Sequence, residues 1–526
     1  MKTLAYLDYC ALPRYQQFFY KIYEFILKVI YGVWHFIKGI GIGTKKLVFR
    51  IGTSFKKMYH SFRYGDIFTK CSFFVLGISH IKRKQIVKGI ILMLLEFAFI
   101  FFMIFFGAHA LYKLVFVGTY GSGYICDGFD QVFETINGAW EFCDEPTKIA
   151  PDNSPKNLLY GILTILIIIG FICVYIATVN ASYQIQTNEE EGKHIKSFKE
   201  DLADFFNSKF HITLLFLPII GILLFNILPI LDMICMAFTN YDYTTDFPKS
   251  YFSWVGLKNF GQLFSFGGNG FGYTFVEILK WTIVWAILAT FTNFFIGIII
   301  ATIINRKGIK FKKFWRTCLV LSVAVPQFVS LLAMAQFLSD YGPLTVFIEK
   351  ATGVKIYFLG KATTFTLFGH PFKVDFARIL VVLINIWIGV PYTVLSTTGI
   401  LMNVPEDLYE SAKIDGASPI TMYFKITLKY VVFVMGPSLI TTFIGNFNSF
   451  GVIFLLTGGG PKTNNFYGSA GHTDLLVTWL YNLTMDTNPD YKMASVIGIL
   501  IFLISSIISL ILYRNSNSFK NEEDFA

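Results

Sequence analysis

An apolar stretch in the second half of the chain carries polar groups at helical spacing. It reads "NIWIGVPY" over residues 385–392. In a helix, Asn385, Ile388, Gly389 and Tyr392 share one face. An amide and a phenol can bond sugar hydroxyls, and an aromatic ring can pack against the CH face of a sugar. The stretch is therefore a candidate contact surface for a sugar.

A second apolar stretch, "ITTFIGNFNSF" (440–450), has the same character. Thr442, Asn446 and Ser449 are spaced for one helical face. Two interpretations of both stretches stay open from the residues alone. The polar groups contact a solute in a water-lined cavity, or they bond across neighbouring helices and hold the spans together.

The composition indicates what must position these stretches. The chain has 526 residues, of which 54% are hydrophobic and only 15% charged, and its mean hydropathy is +0.56. A soluble protein of this makeup lacks the polar residues to cover its surface, so we predict an all-α polytopic membrane protein. Apolar runs of about 20 residues predict about eight transmembrane helices. They lie at roughly 88–107, 158–181, 212–238, 277–305, 315–338, 377–401, 429–457 and 491–513.

The basic residues set the expected orientation. Residues 1–88 hold sixteen Lys/Arg against three acids, and "NRKGIKFKKFWR" (305–316) holds six basic residues and no acid. Loop 108–157 holds three Lys against seven acids. Basic loops stay on the cytoplasmic side, so both termini are expected inside and loop 108–157 outside. Loop 339–376, with four Lys, disagrees mildly because the same topology places it outside.

The basic N-terminal region, residues 1–87, is expected at the cytoplasmic membrane surface. Lysines interrupt every 20-residue window of 15–60, which favours amphipathic helices that lie in the interface over a span. The apolar piece Ile67–Ile81 is expected there too. Membrane lipid is thus the expected partner of this region, rather than nucleic acid. The first long apolar run starts near residue 88, so no cleavable signal peptide is expected.

Residues 404–428, "VPEDLYESAKIDGASPITMYFKITL", form a polar loop with clear helix punctuation. Pro405 opens a helix with acids in its first turn. Asp415–Gly416 ends the helix, and Ser418–Pro419 starts another. This predicts a rigid bent hairpin, which suits a docking surface for a cytoplasmic protein. A hairpin that merely joins two spans is the open alternative.

The same stretch resembles the coupling loop of ABC importer permeases. Glu410, Ala412 and Gly416 match that pattern, whereas Ser411 replaces an Ala and Lys429 a Pro. In that family the loop seats in a groove of a cytoplasmic ATPase. The resemblance implies that the coupling loop, 402–428, makes this contact. The implied contact residues are Glu410, Ala412, Asp415 and Gly416.

Further segments resemble the larger permease subunit of maltose and maltodextrin importers. They are "NIWIGVPY", "NFNSFGVIFLLTGGGPKT" (446–463) and "AGHTDLLVTWLYN" (470–482), and the likeness runs from about residue 212 to the C-terminus. It implies a type I permease core over 212–513, preceded by two spans in 88–211 and followed by a cytoplasmic tail, 514–526. Val323, Gly445 and Ser449 depart from the family pattern. The implied substrate contacts are Asn385, Ile388, Gly389, Tyr392, Thr442, Asn446, Ser449 and Gln327.

The family likeness also implies the partners and the task. We expect a cell-membrane permease that imports an oligosaccharide such as maltose or a maltodextrin. A second homologous permease, two copies of an ATPase and an extracellular sugar-binding protein complete such an importer. No cofactor is expected in this chain, because ATP and Mg²⁺ belong to the ATPase. "GGGPKT" (458–463) superficially suggests a phosphate-binding loop, but it follows an apolar span and has Pro461 before the Lys.

Other features weigh against enzymatic chemistry. The sequence shows no catalytic triad, no paired carboxylates and no metal-ligand spacing among its eight His. An ion-coupled secondary transporter is the main rival interpretation, and Glu96 is its one candidate intramembrane carboxylate. A permease for a different glycan or small solute and a membrane scaffold also remain open. Cys126 and Cys143 share the predicted external loop and are candidates for a disulfide.

Overall fold

The fold is taken from a computed structural model. It describes residues 13, 45, 49, 52–118, 153–246, 251–267, 269–306, 308–360 and 376–515, together with five short strands. The described chain divides into two compact units. We call residues 52–259 with Asp490–Ser495 the N-terminal unit, and Phe260–Pro489 with the residues from Val496 the core unit.

The N-terminal unit contains two long spans, a third span and several short helices. Its helices are α1 (52–64), α2 (Ile67–Cys71), α3 (Ile78–Lys82), α4 (Ile86–Phe102), α5 (Ala108–Val115), α6 (Ser154–Glu190), α7 (Phe198–Phe206), α8 (Phe210–Ile222), α9 (Leu228–Met236) and α10 (Lys258–Gly261). Short π-helical turns, Met103–Gly107 and Leu223–Ile227, join α4 to α5 and α8 to α9.

Side-chain caps fix several helix starts in this unit. The Asp66 carboxylate accepts a hydrogen bond from the Thr69 backbone N–H at 2.7 Å and begins α2. Asn153 caps α6 in the same way. Ser197 and Glu200 form a reciprocal capping box at α7. Each cap satisfies a backbone N–H that has no partner inside its helix.

The core unit holds the remaining spans. Its helices are α11 (Phe271–Asn305), α12 (Lys312–Ala324), α13 (Gln327–Phe337), α14 (Pro343–Thr352), α15 (Phe376–Leu401), α16 (Glu406–Ile414), α17 (Pro419–Met422), α18 (Leu428–Phe447), α19 (Gly451–Thr457), α20 (Leu476–Met485) and α21 (Tyr491–Asn515). A π-helical turn, Tyr423–Thr427, joins α17 to α18. The first residues of α21 belong to the N-terminal unit.

The prediction of about eight transmembrane helices is confirmed. Seven helices in the described chain are long and apolar enough to cross a membrane, and a bent pair makes the eighth. That pair corrects the predicted continuous span 315–338, because α12 and α13 meet at 83°. Pro326 lacks a backbone N–H, and Val325 before it is extended, with ψ of 124°. The helix therefore ends and restarts at this proline.

Two other predicted spans have different ends. Helix α6 has 37 residues and continues well past the predicted end at 181. The seventh span starts earlier than residue 429, since the helical segment runs from Pro419. It is interrupted at 448–450, between α18 and α19. The apolar run locates a span, but polar residues can extend its helix into the aqueous layer.

Helix α11 organises the core unit. Its buried Trp281, Trp285 and Ala289 pack with residues of α13, α15, α19 and the start of α20 in one apolar cluster. Further along α11, Phe294 and Ile298 pack on Val431 and Met435 of α18. The helix thus contacts both stretches in which the sequence predicts substrate contacts.

Small strands lie in two segments between spans. β1 (Tyr124–Cys126) pairs with β2 (Val132–Phe133) and β3 (Pro146–Lys148) in an antiparallel sheet of order β2-β1-β3. β4 (Thr363–Leu367) and β5 (His370–Val374) form an antiparallel hairpin. The membrane core is helical as predicted, and these strands are additions between the spans.

Some predictions fall outside the described residues. Most of the predicted amphipathic region 15–60 does so, as do residues 516–526 and Cys143 with its suggested bond to Cys126. The predicted domain divisions after residues 87 and 211 stay predictions. The observed division into compact units falls between Asn259 and Phe260.

Candidate functional site

The second predicted stretch reaches α11 through Asn446. The Asn446 amide nitrogen donates a hydrogen bond to the Thr290 hydroxyl at 2.9 Å. The Trp285 indole N–H donates to the Asn446 backbone oxygen at 3.1 Å. These bonds fix the end of α18 against the middle of α11. They are contacts between helices, as the packing interpretation of this asparagine expects.

The first predicted stretch contacts α11 at Gly389 and holds a buried amide at Asn385. The Asn385 side chain is buried, at 6% exposure, and its amide nitrogen has no hydrogen-bond partner in the described chain. A Cβ on Gly389 would overlap the amide of Asn293. The Asn293 side-chain oxygen is also buried without a hydrogen-bond partner among the described residues. The buried amide nitrogen of Asn385 on α15 and the buried amide oxygen of Asn293 on α11 can therefore each still form a hydrogen bond.

The other residues of the first stretch divide between two environments. Ile388 packs against the apolar cluster around Trp285. Tyr392, which the helical spacing places with Asn385, is 45% exposed. Pro391 lies inside α15 between them. The predicted residues therefore lie along one side of α15, and of these only Asn385 is buried.

The remaining predicted contacts are more exposed. The Thr442 hydroxyl donates to the Ser438 backbone oxygen of its own helix at 2.9 Å and faces outward. Ser449 is half-buried just after α18 ends, and its backbone N–H donates to the Asn446 oxygen at 3.1 Å. Gln327 is exposed at the first position of α13, directly after the bend. The structure thus brings Gly389 and Asn446 to α11, buries Asn385, and leaves Tyr392, Thr442 and Gln327 accessible.

The α11 residues that meet these stretches were not predicted from the sequence. Thr290 and Asn293 lie in the apolar run "LATFTNFFIG" (288–297). Their three-residue spacing places them on one helical face. Two polar residues on one face of a span are the signal that could have identified them.

The coupling loop folds as the predicted hairpin. The N–H of Ala417 donates to the Ala412 oxygen at 2.9 Å, and the N–H of Gly416 donates to the Lys413 oxygen at 3.0 Å. Gly416 has a φ of +72°, so these bonds close α16 in a Schellman motif. The Ser418 hydroxyl caps α17 by accepting from the Thr421 N–H at 3.2 Å. The predicted stop and restart signals are confirmed.

The outer surface of this hairpin is available to another molecule. Glu410, Asp415 and Gly416 are exposed, whereas Ala412 is half-buried. Apolar side chains stand among them, with Ile414 86% and Ile420 69% exposed. Apolar side chains exposed beside charged ones indicate an interaction surface.

A polar anchor joins the hairpin to the following span. The Tyr409 hydroxyl on α16 lies 2.8 Å from the Thr427 hydroxyl in the π-helical turn before α18. Thr427 is buried, so the pair is partly shielded from water. This contact links the first helix of the hairpin to the base of the helix that carries Thr442 and Asn446.

The segment that contains "GGGPKT" forms a closed loop after α19. The Thr473 N–H donates to the Gly459 oxygen at 3.2 Å, and Lys462 forms an isolated β-bridge with Gly471. Buried Asp474 accepts from the Gly471 N–H at 2.8 Å and from the Thr478 hydroxyl at 2.7 Å. Burial raises the pKa of the Asp474 carboxyl to about 6, against the effect of these bonds. The loop's backbone groups are turned inward, unlike those of a phosphate-binding loop.

Titratable residues in the described chain supply no metal centre. No group of three or more His, Cys, Asp or Glu side chains lies close enough there to hold a metal ion. Glu96, the candidate intramembrane carboxylate, accepts a hydrogen bond from the Leu76 backbone N–H at 2.7 Å. This bond gives Glu96 a structural role within the N-terminal unit.

Comparison with known proteins identifies relatives over most of the chain. Residues 293–519 match the family described as binding-protein-dependent transport system inner membrane component. The galactooligosaccharide transport permease GanP of Bacillus subtilis (strain 168) is 34% identical, over 73% of this chain and 88% of that protein. The maltodextrin transport permease MdxF of the same organism is 30% identical, over 85% and 95%.

A solved structure also matches part of this chain. It is a bacterial ABC transporter involved in the import of the acidic polysaccharide alginate. The matched chain is 22% identical, with a TM-score of 0.47, and the match covers 60% of this chain and 97% of that one.

Proposed function

Since this chain belongs to the family of binding-protein-dependent ABC importer permeases and resembles the sugar permeases among them, we propose that it imports a maltodextrin. It is a multi-pass membrane subunit of a sugar importer. The finer assignment of the sugar is supported by the maltodextrin permease likeness and by the amides and hydroxyls of α15 and α18. A galactooligosaccharide is the second candidate, because GanP is similarly related.

The observation that carries the coupling part of the proposal is the exposed, internally closed hairpin α16–α17. In this proposal Glu410, Ala412, Asp415 and Gly416 seat in a groove of a cytoplasmic ATPase, where Ile414 and Ile420 contribute apolar contact. A rigid hairpin moves as one body when the ATPase displaces it, so the displacement reaches the span. The Schellman hydrogen bonds supply that rigidity. ATP and Mg²⁺ would bind in the ATPase and not in this chain.

The contacts described above suggest how motion reaches the membrane. Displacement of α16 is passed by the Tyr409–Thr427 contact to the base of α18. Helix α18 packs on α11 through Val431 and Met435, and the Asn446 side chain bonds Thr290 near its other end. A small rotation of α18 therefore changes the polar contact with α11, and the ATPase stroke opens and closes access to the sugar contacts.

The sugar contacts in this proposal are Asn385, Ile388, Gly389, Tyr392, Thr442, Asn446, Ser449 and Gln327. The unused amide of Asn385 supports this assignment, since a buried donor without a partner favours a ligand hydroxyl. Tyr392 supplies an aromatic face. The Asn446–Thr290 bond is then the arrangement of one state, which a bound sugar or a moved α18 replaces.

The complete importer would contain further subunits. We propose a second homologous permease, two copies of the ATPase and an extracellular sugar-binding protein, with both termini of this chain in the cytoplasm. Ion-coupled transport is the rival interpretation, and it relied on Glu96 as a carboxylate for an ion path. That carboxylate accepts a hydrogen bond from the Leu76 backbone N–H, which weakens the argument. A scaffold role would leave the unpartnered buried amide groups of Asn385 and Asn293 without a purpose.

The substrate proposal is tested by uptake in cells that express the chain with its neighbouring importer genes. Labelled maltotriose and a galactooligosaccharide of equal length are supplied separately, each against an excess of the other. We expect maltotriose uptake that the galactooligosaccharide competes poorly. Preferred uptake of the galactooligosaccharide would refute the maltodextrin assignment and leave the permease function intact.

The site is tested by comparing two variants of one hydrogen-bonded pair. Asn446→Leu removes a proposed sugar contact and its bond to Thr290. Thr290→Val removes only the bond to Asn446 and keeps the side-chain volume. We expect Asn446→Leu to reduce uptake about tenfold more than Thr290→Val, the effect of one lost hydrogen bond to the sugar. Equal effects, with complex assembly unchanged in both, would assign Asn446 to packing alone.

A further inference from the structure

Helix α1 carries two parallel stripes of different chemistry. Phe55, Tyr59 and Phe62 recur at helical spacing, and their side chains are about half or more exposed. Lys56, His60 and Arg63 follow one position later and form the adjacent stripe. An open groove of about 500 Å³ is lined by members of both stripes together with Tyr64. An aromatic surface thus lies directly beside a basic one.

The contact of α1 with α6 places this groove at the edge of the membrane. The His60 ring lies 5.3 Å from the ring of Tyr183 in an edge-on arrangement. Tyr183 follows the apolar run 158–181 of α6, and "QIQTNEE" continues from it to residue 190. The helix therefore changes from lipid-compatible to water-compatible residues where α1 contacts it.

A rigid base supports the groove. The Phe62 ring packs edge-on to the Phe73 ring at 5.3 Å, in the turn between α2 and α3. Arg83, just after α3, is buried and forms ion pairs with Asp66 at 2.7 Å and with Glu189 of α6 at 2.8 Å. These contacts attach the α2–α3 hairpin and α1 to the end of α6. The stripes therefore keep a fixed position relative to the span.

The charge of the region favours an anionic ligand. Residues 52–88 contain eight Lys/Arg and a single acid, Asp66. Arg83 already engages the Asp66 carboxylate. The positive potential near Lys56 and Arg63 is therefore not offset by a nearby acid of this segment. Exposed aromatic side chains beside that charge suit a ligand that has an anionic head and apolar tails.

We propose that the groove of α1 binds the phosphate of an anionic phospholipid in the adjacent bilayer leaflet. Lys56 and Arg63 contact the phosphate, and Phe55 and Tyr59 lie against the glycerol and upper acyl chains. Basic side chains near a membrane surface attract anionic lipid, and aromatic side chains prefer the headgroup level. The proposal concerns the N-terminal unit and does not depend on which sugar the core unit carries.

Native mass spectrometry of the full chain from lipid nanodiscs tests the proposal. Lys56→Gln/Arg63→Gln is compared with Lys258→Gln/Lys350→Gln, which removes the same charge at exposed positions elsewhere. We expect the first pair to weaken phosphatidylglycerol retention about 30-fold, from the usual contribution of two basic residues. Phosphatidylcholine retention and the control pair should change little. Equal losses in both pairs, or no loss in the first, would overturn the proposal.

Photo-crosslinking gives a test that does not depend on removing charge. A benzophenone amino acid replaces Tyr59 in one full-length sample and Tyr341, which is highly exposed, in another. Irradiation in phosphatidylglycerol nanodiscs should give a lipid adduct at position 59 and little at 341. No adduct at position 59, or adducts only to another protein, would contradict lipid binding. An adduct that forms equally with pure phosphatidylcholine would exclude a preference for the anionic head.

Discussion

Two short helical hairpins of this protein turn at a glycine with the same backbone conformation, but one is packed against the rest of the chain and the other is open. One is α2–α3 with its turn at residues 72–77, and the other is α16–α17 with its turn at 415–418. Each turn contains a glycine in the left-handed region, with φ of +92° at Gly77 and +72° at Gly416. A Cβ on Gly77 would overlap the backbone oxygen of Gly89, whereas nothing lies within 4 Å of a Cβ on Gly416.

The polar side chains of the two hairpins also differ in how deeply they are buried. In the N-terminal hairpin, Ser79 and His80 are fully buried, and the Arg83 side chain is 1% exposed between its two acidic partners. In the coupling hairpin the charged residues and Ile414 face outward. A hairpin that closes on its own chain fixes a structure, and one that leaves its surface open needs a second molecule. The closed contacts fit an anchoring role for the first hairpin, and the open surface fits the coupling role that we propose for the second.

Substitution at Gly77 should give the largest effect on this comparison. Gly77→Ala adds a Cβ against the Gly89 oxygen and also strains the backbone, which together cost about 3 kcal/mol. Hydrogen exchange of residues 66–88 should accelerate strongly. Gly353→Ala, with the same left-handed backbone and open space around it, should cost about 1 kcal/mol. Equal effects at the two glycines would show that the Gly77 turn is not packed as described.

Removal of Arg83 should come next. Arg83→Met leaves Asp66 and Glu189 without their partner, and we expect the α2–α3 hairpin to lose about 2 kcal/mol because both acids are partly exposed. Proteolysis at residues 66–84 is the measurement. Lys70→Met, at an exposed position of α2, should change the cleavage rate little. A cleavage rate unaffected by Arg83→Met would contradict an anchoring role.

The Tyr409–Thr427 contact tests the role proposed for the second hairpin, α16–α17. Tyr409→Phe removes one hydrogen bond of about 1 kcal/mol and should uncouple transport from ATP hydrolysis by several-fold, with the fold intact. The readout is sugar moved per ATP hydrolysed in proteoliposomes. Tyr430→Phe is the control, because its 3.5 Å contact with the Asn403 oxygen is long. An unchanged ratio for Tyr409→Phe would remove this link from the coupling route.

The effect that is smallest near neutral pH is a pH dependence of the N-terminal hairpin. Burial, with Lys88 and Arg83 nearby, lowers the pKa of His80 to about 4, although Asp201 acts in the opposite direction. Because the unfolded state binds the proton more readily, the stability is full above about pH 6.5. It falls by about 1 kcal/mol per pH unit as the pH drops toward 4. Hydrogen exchange of residues 66–88 should accelerate between pH 7 and 5 in the wild type. His80→Phe should remove the acceleration, and its persistence would assign the titration to another group.

The sequence was sufficient for features that local signals determine. Apolar runs located the spans, and Gly416, Ser418 and Pro419 predicted the coupling hairpin, because capping and turn preferences act over a few residues. The bend at Pro326 was missed, since a proline inside an apolar run is compatible with both a continuous and a broken helix. The sequence around Pro326 therefore does not decide between them.

Features that depend on distant pairs were not predictable. Arg83 and Glu189 are 106 residues apart in the chain, and Thr290 and Asn446 are 156 apart. Helical periodicity correctly placed Asn385 and Gly389 on one face, but it contains no information about which helix that face meets. For the same reason Asn293 was overlooked, although it contacts the site of Gly389.

In the proposed function, the open hairpin 402–428 receives the work of a separate ATPase. The most direct measurement reconstitutes the chain with its second permease and ATPase and follows ATP hydrolysis and sugar uptake after addition of sugar-loaded binding protein. With Glu410→Lys or Gly416→Pro, we expect ATPase stimulation and uptake to fall at least tenfold, while Gly353→Ala behaves as wild type. Normal uptake by either hairpin variant, or solute transport by this chain with no ATPase present, would contradict the account.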